Sequence, residues 1–262
     1  MNSDNNLMTF GGHLEVLRKM IFRIVAIVAL FMFVIFCFKD TTFALLLAPS
    51  KSDFITYRWI ESFSKALGYD FHFEAYEVKL IAVELSSQFM THITVSCYMA
   101  LLLASPYILY ELFRFVSPAL YENERKYSVR VVVSVYLLFV IGVVVSYFLL
   151  FPIAFRFLGT YQVSEMVTST ITIDSYVGTM TTLTFLMGLV FQLPVISFFL
   201  AKMGIIDSKM LGKYRRHALI AIMIVAAIIT PPDIMTLVLV SIPMYLLYEL
   251  SIVISRLVVD NP

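Results

Sequence analysis

Six long apolar runs, separated by polar segments, dominate the pattern of hydrophobic and polar positions along this chain. A helix needs about 20 apolar residues to cross a bilayer, so runs of this length predict membrane-spanning helices. The predicted spans are residues 20–38, 86–115, 129–151, 173–201, 217–229 and 234–254. We therefore expect an all-α integral membrane protein with six transmembrane helices, packed as one helical domain over residues 1–262.

The fifth and sixth spans are predicted to be short. Residues 217–229 fall well below the usual spanning length of about 20 residues. Only Thr230-Pro231-Pro232-Asp233 separates them from the sixth run, so the two runs must form a tight helical hairpin. A short hairpin implies a locally thinned bilayer, or water that enters from one side.

In the third span, Pro152 is expected to end the helix because it lacks a backbone donor.

Residues 39–84 form a long mixed segment between the first and second spans. Pro49 interrupts it early, and aromatic residues such as Trp59 and Phe63 alternate with charges of both signs. Aromatic residues are enriched at membrane interfaces, so one interpretation is an outer cap that lies on the bundle. The alternative is an ordinary folded extramembrane loop.

Composition supports a polytopic membrane protein. The chain is 60% hydrophobic and 14% charged, and its mean hydropathy is +0.89. Soluble domains are about half apolar and a quarter charged. With the N-terminus placed inside, 13 of the 19 lysine and arginine residues lie on the inner side. Because basic residues stay cytoplasmic, both termini are predicted to be cytoplasmic.

The sequence carries no recognisable signature of bond chemistry. It lacks the HExxH, GxSxG and Walker motifs, and its four histidines are scattered. Cys37 and Cys97 do not form a CxxC pair, so we expect neither a metal site nor a disulfide framework. The polar start of the chain, without a cleavage site after the first run, is not a cleavable signal. We expect neither an enzyme nor a bound cofactor.

Polar residues within the apolar runs are the next candidates for function. Gln192 lies deep in the fourth run, beside Pro194. Its amide either satisfies the carbonyl that the proline leaves without a donor, or faces a hydrated cavity or a partner helix. Glu111 and Glu249 lie near the inner boundary, where their carboxylates are expected to reach water. Three glycines are expected to permit close helix packing, namely Gly142, Gly178 and Gly188.

Acidic residues stand out on the inner face, which is otherwise basic. Glu122 and Glu124 lie in the short turn between the second and third spans, and Glu15 lies near the N-terminus. One interpretation is that these carboxylates pair with neighbouring basic residues and contribute little energy. The other is that they clamp the guanidinium groups of a basic peptide, because each arginine fork matches a carboxylate.

Several segments, taken together and in order, resemble the TatC family. This family supplies the polytopic receptor subunit of the twin-arginine protein translocase, and the resemblance covers about residues 10–256. The matching segments are His13-Leu14-Glu15-Val16-Leu17-Arg18, Ala48-Pro49, Ala104-Ser105-Pro106-Tyr107-Ile108-Leu109-Tyr110, Phe115, Pro118-Ala119-Leu120-Tyr121-Glu122-Asn123-Glu124-Arg125, Phe151-Pro152, Phe191-Gln192-Leu193-Pro194, Thr230-Pro231-Pro232-Asp233 and Ile242-Pro243-Met244-Tyr245.

The resemblance implies a receptor in the bacterial cytoplasmic membrane. Family members bind the twin-arginine signal peptides of folded precursors. They self-associate, and they recruit single-span partners of the TatA and TatB type, driven by the proton-motive force. The acidic residue at the position of Glu124 contacts the arginines there, and Phe115 and Arg18 belong to the same surface. Glu122 is a further candidate on this turn.

Two positions depart from the family pattern. The second acidic contact of the family falls at Val16 in this chain, whereas the carboxylate stands one residue earlier, at Glu15. One residue rotates a helical position by about 100°, so this chain is expected to depend more on Glu124. Many relatives have a glutamate where Gln192 stands, and an amide cannot carry a proton.

Three further residues complete the predicted sites. Thr230 joins Gln192 as a candidate contact for partner helices. Pro49 and Asp233 match positions on which the family depends, and they are expected to shape the outer cap.

A secondary transporter or channel for a small solute is the alternative function. Gln192 and His92 would then line a pore. The sequence shows neither an inverted repeat nor a ring of charge, which such proteins commonly have.

Overall fold

The computed structural model describes residues 10–69, 78–116, 128–162, 164 and 170–260. Short elements join the helices: the 3₁₀ turn Ala48–Ser50, the π turn Ser146–Leu150, and β1 (Leu80–Ile81), which pairs in parallel with β2 (Ile171–Thr172). The α-helices in these ranges are α1 (Phe10–Cys37), α2 (Lys39–Leu47), α3 (Ile55–Ala66), α4 (Ser87–Val116), α5 (Ser128–Val145), α6 (Phe151–Thr160), α7 (Ile173–Val190), α8 (Leu193–Lys202), α9 (Ser208–Lys213), α10 (Arg215–Ile229) and α11 (Ile234–Asp260).

The helices confirm an all-α membrane architecture. Among the described residues, five segments are long and apolar enough to cross a bilayer: Leu14–Cys37, Ser87–Phe115, Val132–Thr160, Ile173–Lys202 and Ile234–Val258. The predicted fifth span corresponds to α10, which has 15 residues. The count of six spans and the cytoplasmic placement of the termini stay predictions, as does the single domain.

The sixth predicted span is longer than the sequence pattern suggested. Helix α11 runs for 27 residues, from Ile234 to Asp260, so the expectation of a short sixth span is wrong. Its apolar face continues past the predicted end, because Leu257 and Val258 extend it by a further turn. Only α10 is short, and α11 packs against both α8 and α10.

The prediction that Pro152 ends the third span is wrong, because the helix continues beyond it. The helix passes from α5 through the π turn into α6, where Pro152 occupies the first turn. Proline is tolerated in the first turn of a helix. Here a side-chain hydroxyl takes the place of the missing backbone N–H. The carbonyl of Phe148, four residues before the proline, accepts a hydrogen bond from the hydroxyl of Thr56 on α3.

Pro49 creates a similar gap at the end of α2. Four residues before it, the carbonyl of Leu45 accepts a hydrogen bond from the Tyr147 hydroxyl at 2.6 Å. The next carbonyl, of Leu46, accepts one from Tyr176 at 2.8 Å. The Leu46 contact is buried, and a buried carbonyl needs such a partner. Both hydroxyls connect the end of α2 to the helices that follow.

Two compact units can be distinguished in the chain. Unit 1 comprises residues 1–39 and 92–136, and unit 2 comprises residues 40–91 and 137–262. The core of unit 2 contains a cluster of buried aromatic rings. Tyr176 meets both Phe151 and Phe155 edge to face, with ring centroids 5.1 and 4.9 Å apart.

Two glycines allow α5 and α7 to approach closely within unit 2. A Cβ added at Gly142 would lie 2.7 Å from the carbonyl oxygen of Met187, and one at Gly188 would lie 2.7 Å from the Phe139 ring. These contacts confirm the packing role that was predicted for both. Gly178 has open space around it, with nothing within 4 Å of an added Cβ, so that part of the prediction is wrong.

Candidate functional site

Two helices of unit 1, α1 and α4, lie antiparallel. The rings of Phe36 and His92 stack with centroids 4.0 Å apart. Farther along, the Nη2 atom of Arg23 lies 2.8 Å from the Oε2 atom of Glu111. From the first contact to the second, the residue number decreases on α1 and increases on α4, so the two helices run in opposite directions. The N-terminal part of α1 and the C-terminal end of α4 therefore lie at the same end of unit 1.

This end of unit 1 brings together three of the predicted site residues. Glu15 and Arg18 precede Arg23 on α1 by one to two helical turns, and Phe115 follows Glu111 on α4 by one turn. Glu15 and Arg18 are exposed. The exposed carboxylate can bind a cationic side chain of a peptide, and the aromatic ring at the same end can contact an apolar one.

Glu15 is already paired within its own helix. Its Oε1 atom lies 2.7 Å from the Nζ atom of Lys19, one turn later, and both side chains are about two-thirds exposed. Exposed pairs of this spacing contribute little to stability and exchange readily with water. Arg18 rests its guanidinium 6.0 Å from the centroid of the Phe22 ring. Both groups therefore stay accessible to an incoming ligand.

The other two acidic candidates, Glu122 and Glu124, lie outside the described residues. Their segment, residues 117–127, is the connection between α4 and α5. Their role in binding stays a prediction.

The prediction that the Glu111 carboxylate reaches water is wrong, because Glu111 is buried. Only 3% of it is exposed, and both carboxylate oxygens are used. Arg23 binds one oxygen, and the Tyr107 hydroxyl donates to the other at 2.9 Å. Sequence reasoning missed this network because Arg23 and Glu111 are 88 positions apart. A buried carboxylate is stable only when its lone pairs are satisfied, so the three side chains hold α1 and α4 in register.

The two intramembrane polar candidates belong to unit 2 and bond within their own helices. The side-chain amide of Gln192 donates to the carbonyl of Gly188 at 3.4 Å, and its backbone N–H turns to Leu189. The Thr230 hydroxyl donates to the carbonyl of Ala226 at 2.9 Å. The carbonyl that Pro194 leaves without a donor is that of Val190, four residues earlier, so the bond from Gln192 to Gly188 does not fill that gap. The amide instead binds the carbonyl that its own backbone N–H leaves when it donates to Leu189. Contact with a partner helix stays a prediction.

The two candidates for the outer cap occupy helix boundaries. Pro49 is buried within the 3₁₀ turn after α2. Asp233 directly precedes α11, and its Oδ1 atom accepts a hydrogen bond from the backbone N–H of Thr236 at 2.6 Å. This is the geometry of a helix N-cap, which satisfies one of the free donors at the start of a helix.

Asp174 is a polar contact that sequence reasoning missed. It lies in the first turn of α7 and accepts hydrogen bonds from Ser87 and Thr91, the latter at 2.7 Å. These two residues lie in the first turns of α4. Together with the parallel pairing of β1 and β2, the contact joins the segments that lead into α4 and α7.

Glu249 forms an ion pair with Arg215 at the start of α10. Two guanidinium nitrogens lie 2.8 and 2.9 Å from its oxygens, and Tyr245 donates to it at 3.0 Å. This bidentate pair connects the beginning of α10 to the later part of α11.

A family model described as "Sec-independent protein translocase protein (TatC)" matches residues 12–243. A TatC protein from Blattabacterium sp. subsp. Periplaneta americana is 32% identical over 259 residues, which cover 97% of each chain. The TatC protein of Escherichia coli K12 is 37% identical over 182 residues, 70% of each chain. A crystal structure titled "Twin Arginine Translocase Receptor- TatC" superposes with a TM-score of 0.74 and 28% identity, covering 94% of this chain and 99% of that one.

Similarity of this extent reaches beyond any single motif. It covers the apolar helices as well as the segments that carry the candidate site residues. The chain therefore belongs to the TatC family of Sec-independent protein translocase proteins, and it is a multi-pass membrane component of that translocase.

Proposed function

We propose that this protein is the signal-peptide receptor and scaffold subunit of the twin-arginine translocase. It would bind the twin-arginine signal peptides of folded precursors at the cytoplasmic face of the bacterial inner membrane. It would also recruit TatA- and TatB-type partners for export driven by the proton-motive force. The observation that carries the proposal is the antiparallel pairing of α1 and α4, which places Glu15, Arg18 and Phe115 at one end of unit 1.

The arginines of the signal peptide dock on carboxylates in this proposal. Glu124, with Glu122 beside it, follows α4 in the chain and supplies the main contact. Glu15 supplies a second, accessible carboxylate when its ion pair with Lys19 opens. Because an arginine fork binds a carboxylate through two parallel hydrogen bonds, a lysine pair in the peptide should bind less well. Phe115 supplies apolar surface beside them.

Site-specific crosslinking tests this assignment. A photoreactive residue is placed beside a candidate carboxylate, at position 123 or at position 16 of the full chain in membrane vesicles, so that Glu124 and Glu15 are both kept, and a synthetic twin-arginine signal peptide is added. We expect crosslinks from both positions that a twin-lysine peptide forms less well. Glu124→Ala and Glu124→Arg should reduce peptide binding. Glu84→Ala is the matched control, since Glu84 is an exposed carboxylate of unit 2, in the segment predicted to lie on the opposite side. Wild-type binding by both Glu124 variants would refute the assignment.

The hairpin of α10 and α11 is the proposed site for a single-span partner. Helix α10 has 15 residues, which extend about 22 Å, whereas the hydrocarbon core is about 30 Å thick. An apolar groove of about 320 Å³ lies between the two helices. Its lining includes Leu219, Met223, Val238, Ile242 and Leu246. A short partner helix would match the local thickness and fill this groove.

Lengthening α10 tests the recruitment step. Insertion of four leucines in α10 would bring its apolar length close to that of an ordinary span. We expect this variant to lose co-purification with TatA- and TatB-type proteins while it still crosslinks to the signal peptide. Unchanged co-purification would show that the length of α10 does not govern assembly.

A further inference from the structure

Helix α3 carries an apolar stripe that the rest of the described protein leaves uncovered. Ile55, Trp59, Phe63 and Leu67 recur every four residues, so they follow one another along the helix and its C-terminal cap. Their exposed fractions are 40, 61, 68 and 60%. Exposed apolar residues that form one continuous stripe indicate an interaction surface, whereas isolated ones do not.

The remaining faces of α3 are different in character. Thr56 and Tyr57 are 2% exposed and point into unit 2. A third face holds Arg58, Ser62 and Lys65, all of them exposed, with the partly buried Glu61 at its edge, so two cations outnumber one carboxylate there. At about 100° per residue, this polar face borders the apolar stripe on the side away from the buried residues. The helix thus has one face for its own protein, one apolar face and one cationic face.

The contacts of the buried face fix the depth of α3. Thr56 donates to the carbonyl of Phe148, and the Tyr57 hydroxyl donates to the carbonyl of Pro152 at 2.8 Å. The ring of Phe54 stacks on that of Phe148 with centroids 5.8 Å apart. All of these partners lie in the apolar segment Val132–Thr160. They anchor the beginning of α3 to a transmembrane segment and not to an extramembrane loop.

The length of that segment places the anchor near a membrane boundary. Its 29 residues extend about 43 Å, close to the thickness of a bilayer with its interfacial regions. A hydrocarbon core of about 20 residues, centred on this segment, ends near residue 155, so residues 148–152 lie within two helical turns of the edge of the core. The Arg156 guanidinium, one turn farther on, lies 5.0 Å from the Tyr57 ring centroid. Arginine and tyrosine are both typical of the interface.

We propose that α3 lies in the plane of the membrane interface, with its apolar stripe inserted among the lipids. Trp59 and Phe63 would enter the boundary between headgroups and acyl chains, while Arg58 and Lys65 would contact lipid phosphates. Amphipathic helices with aromatic and aliphatic residues on one face and cations on the other bind membranes in this way, at a depth of about 5–10 Å. Anionic lipids complement the cationic face, so the occupant of the stripe is lipid and not a second copy of the chain.

Trp59 reports directly on this helix, because it is the single tryptophan of the chain. The full chain is reconstituted in vesicles of phosphatidylethanolamine and phosphatidylglycerol. Its fluorescence is then quenched with aqueous iodide, with a spin label near the top of a lipid acyl chain, or with one near the terminal methyl. We expect blue-shifted emission, weak quenching by iodide, and stronger quenching by the shallow label than by the deep one.

Two control variants calibrate the measurement, each in a Trp59→Phe background. Leu30→Trp places the probe on an exposed position of α1 closer to the middle of the segment Leu14–Cys37, so the deep label should quench it more strongly. Lys65→Trp places it on the cationic face of α3, where quenching by iodide should be stronger than at position 59.

Two outcomes would overturn the proposal. Strong quenching of Trp59 by iodide, with none by either lipid label, would place the stripe in water. Protection from both iodide and the lipid labels, lost when the protein is diluted in lipid, would show that a second copy covers the stripe.

Discussion

Arg23 and Glu111 form an ion pair 2.8 Å long, in which the carboxylate is buried and the guanidinium is about half exposed. The Tyr107 hydroxyl completes the coordination of Glu111. The pair lies between the stacked rings of Phe36 and His92 and the end of unit 1 that carries Glu15 and Phe115. The pair therefore fixes the relative position of α1 and α4 close to the candidate peptide site.

Removal of the Glu111 carboxylate should therefore loosen unit 1. Glu111→Ala leaves the Tyr107 hydroxyl and the Arg23 guanidinium without their acceptor, which costs about 1–3 kcal/mol. Thermal unfolding in detergent should show a Tm lowered by several degrees. Tyr107→Phe should have a smaller effect in the same direction, and Tyr110→Phe, at an exposed position on the same helix, is the control. Equal Tm values for Glu111→Ala and wild type would show that the pair does not stabilise the fold.

The sequence predicted local features well and long-range pairing poorly. The apolar runs located three of the five long segments to within four residues at each end, since span length follows from bilayer thickness. No periodicity connects Arg23 with Glu111, or Thr56 with Phe148, because these contacts depend on how distant helices pack. For this reason Glu111 was expected to reach water and Pro152 was expected to end a helix.

If Glu15 binds the signal peptide as proposed, Lys19 competes with the peptide for this carboxylate. The pair is exposed and lies 2.7 Å apart, so the carboxylate must leave Lys19 before it can hold an arginine. Lys19→Gln should tighten the binding of a twin-arginine peptide, while Glu15→Gln should weaken it. Titration with a fluorescent peptide measures both effects, and added salt should reduce the difference. If the two variants shift the affinity in the same direction, Glu15 does not contact the arginines.

Glycine packing between α5 and α7 gives a prediction about stability. At Gly142 an added Cβ would meet backbone atoms, at 2.7 Å from the Met187 oxygen and 2.9 Å from the Gly188 Cα. Backbone cannot move aside without separating the helices, so Gly142→Ala should cost about 1–3 kcal/mol. Gly178→Ala is the matched control. It adds the same methyl group on α7 in open space, and it should stabilise the helix by up to about 1 kcal/mol.

Thermal unfolding of the two glycine variants should shift Tm in opposite directions. A loss of similar size in both would mean that the methyl group acts on helix propensity or on the unfolded state and not on packing.

Thr56 and Pro152 should be energetically coupled, although they lie on different elements. The proline has no N–H to offer the carbonyl of Phe148, and Thr56 donates to that carbonyl instead. Thr56→Val keeps the shape of the side chain but removes the donor, which leaves a carbonyl of the π turn short of a partner. The expected cost is about 1–3 kcal/mol, seen as a lower Tm.

A double-mutant cycle isolates this relationship. Pro152→Ala restores a backbone N–H four residues after Phe148, so the carbonyl no longer depends on Thr56. In the Pro152→Ala background, Thr56→Val should therefore cost clearly less than it does in wild type. Ser62→Ala, an exposed change on the same helix, should cost the same in both backgrounds. If the cost of Thr56→Val is also unchanged by the proline substitution, then Thr56 stabilises α3 by packing alone, and the hydroxyl does not compensate for the proline.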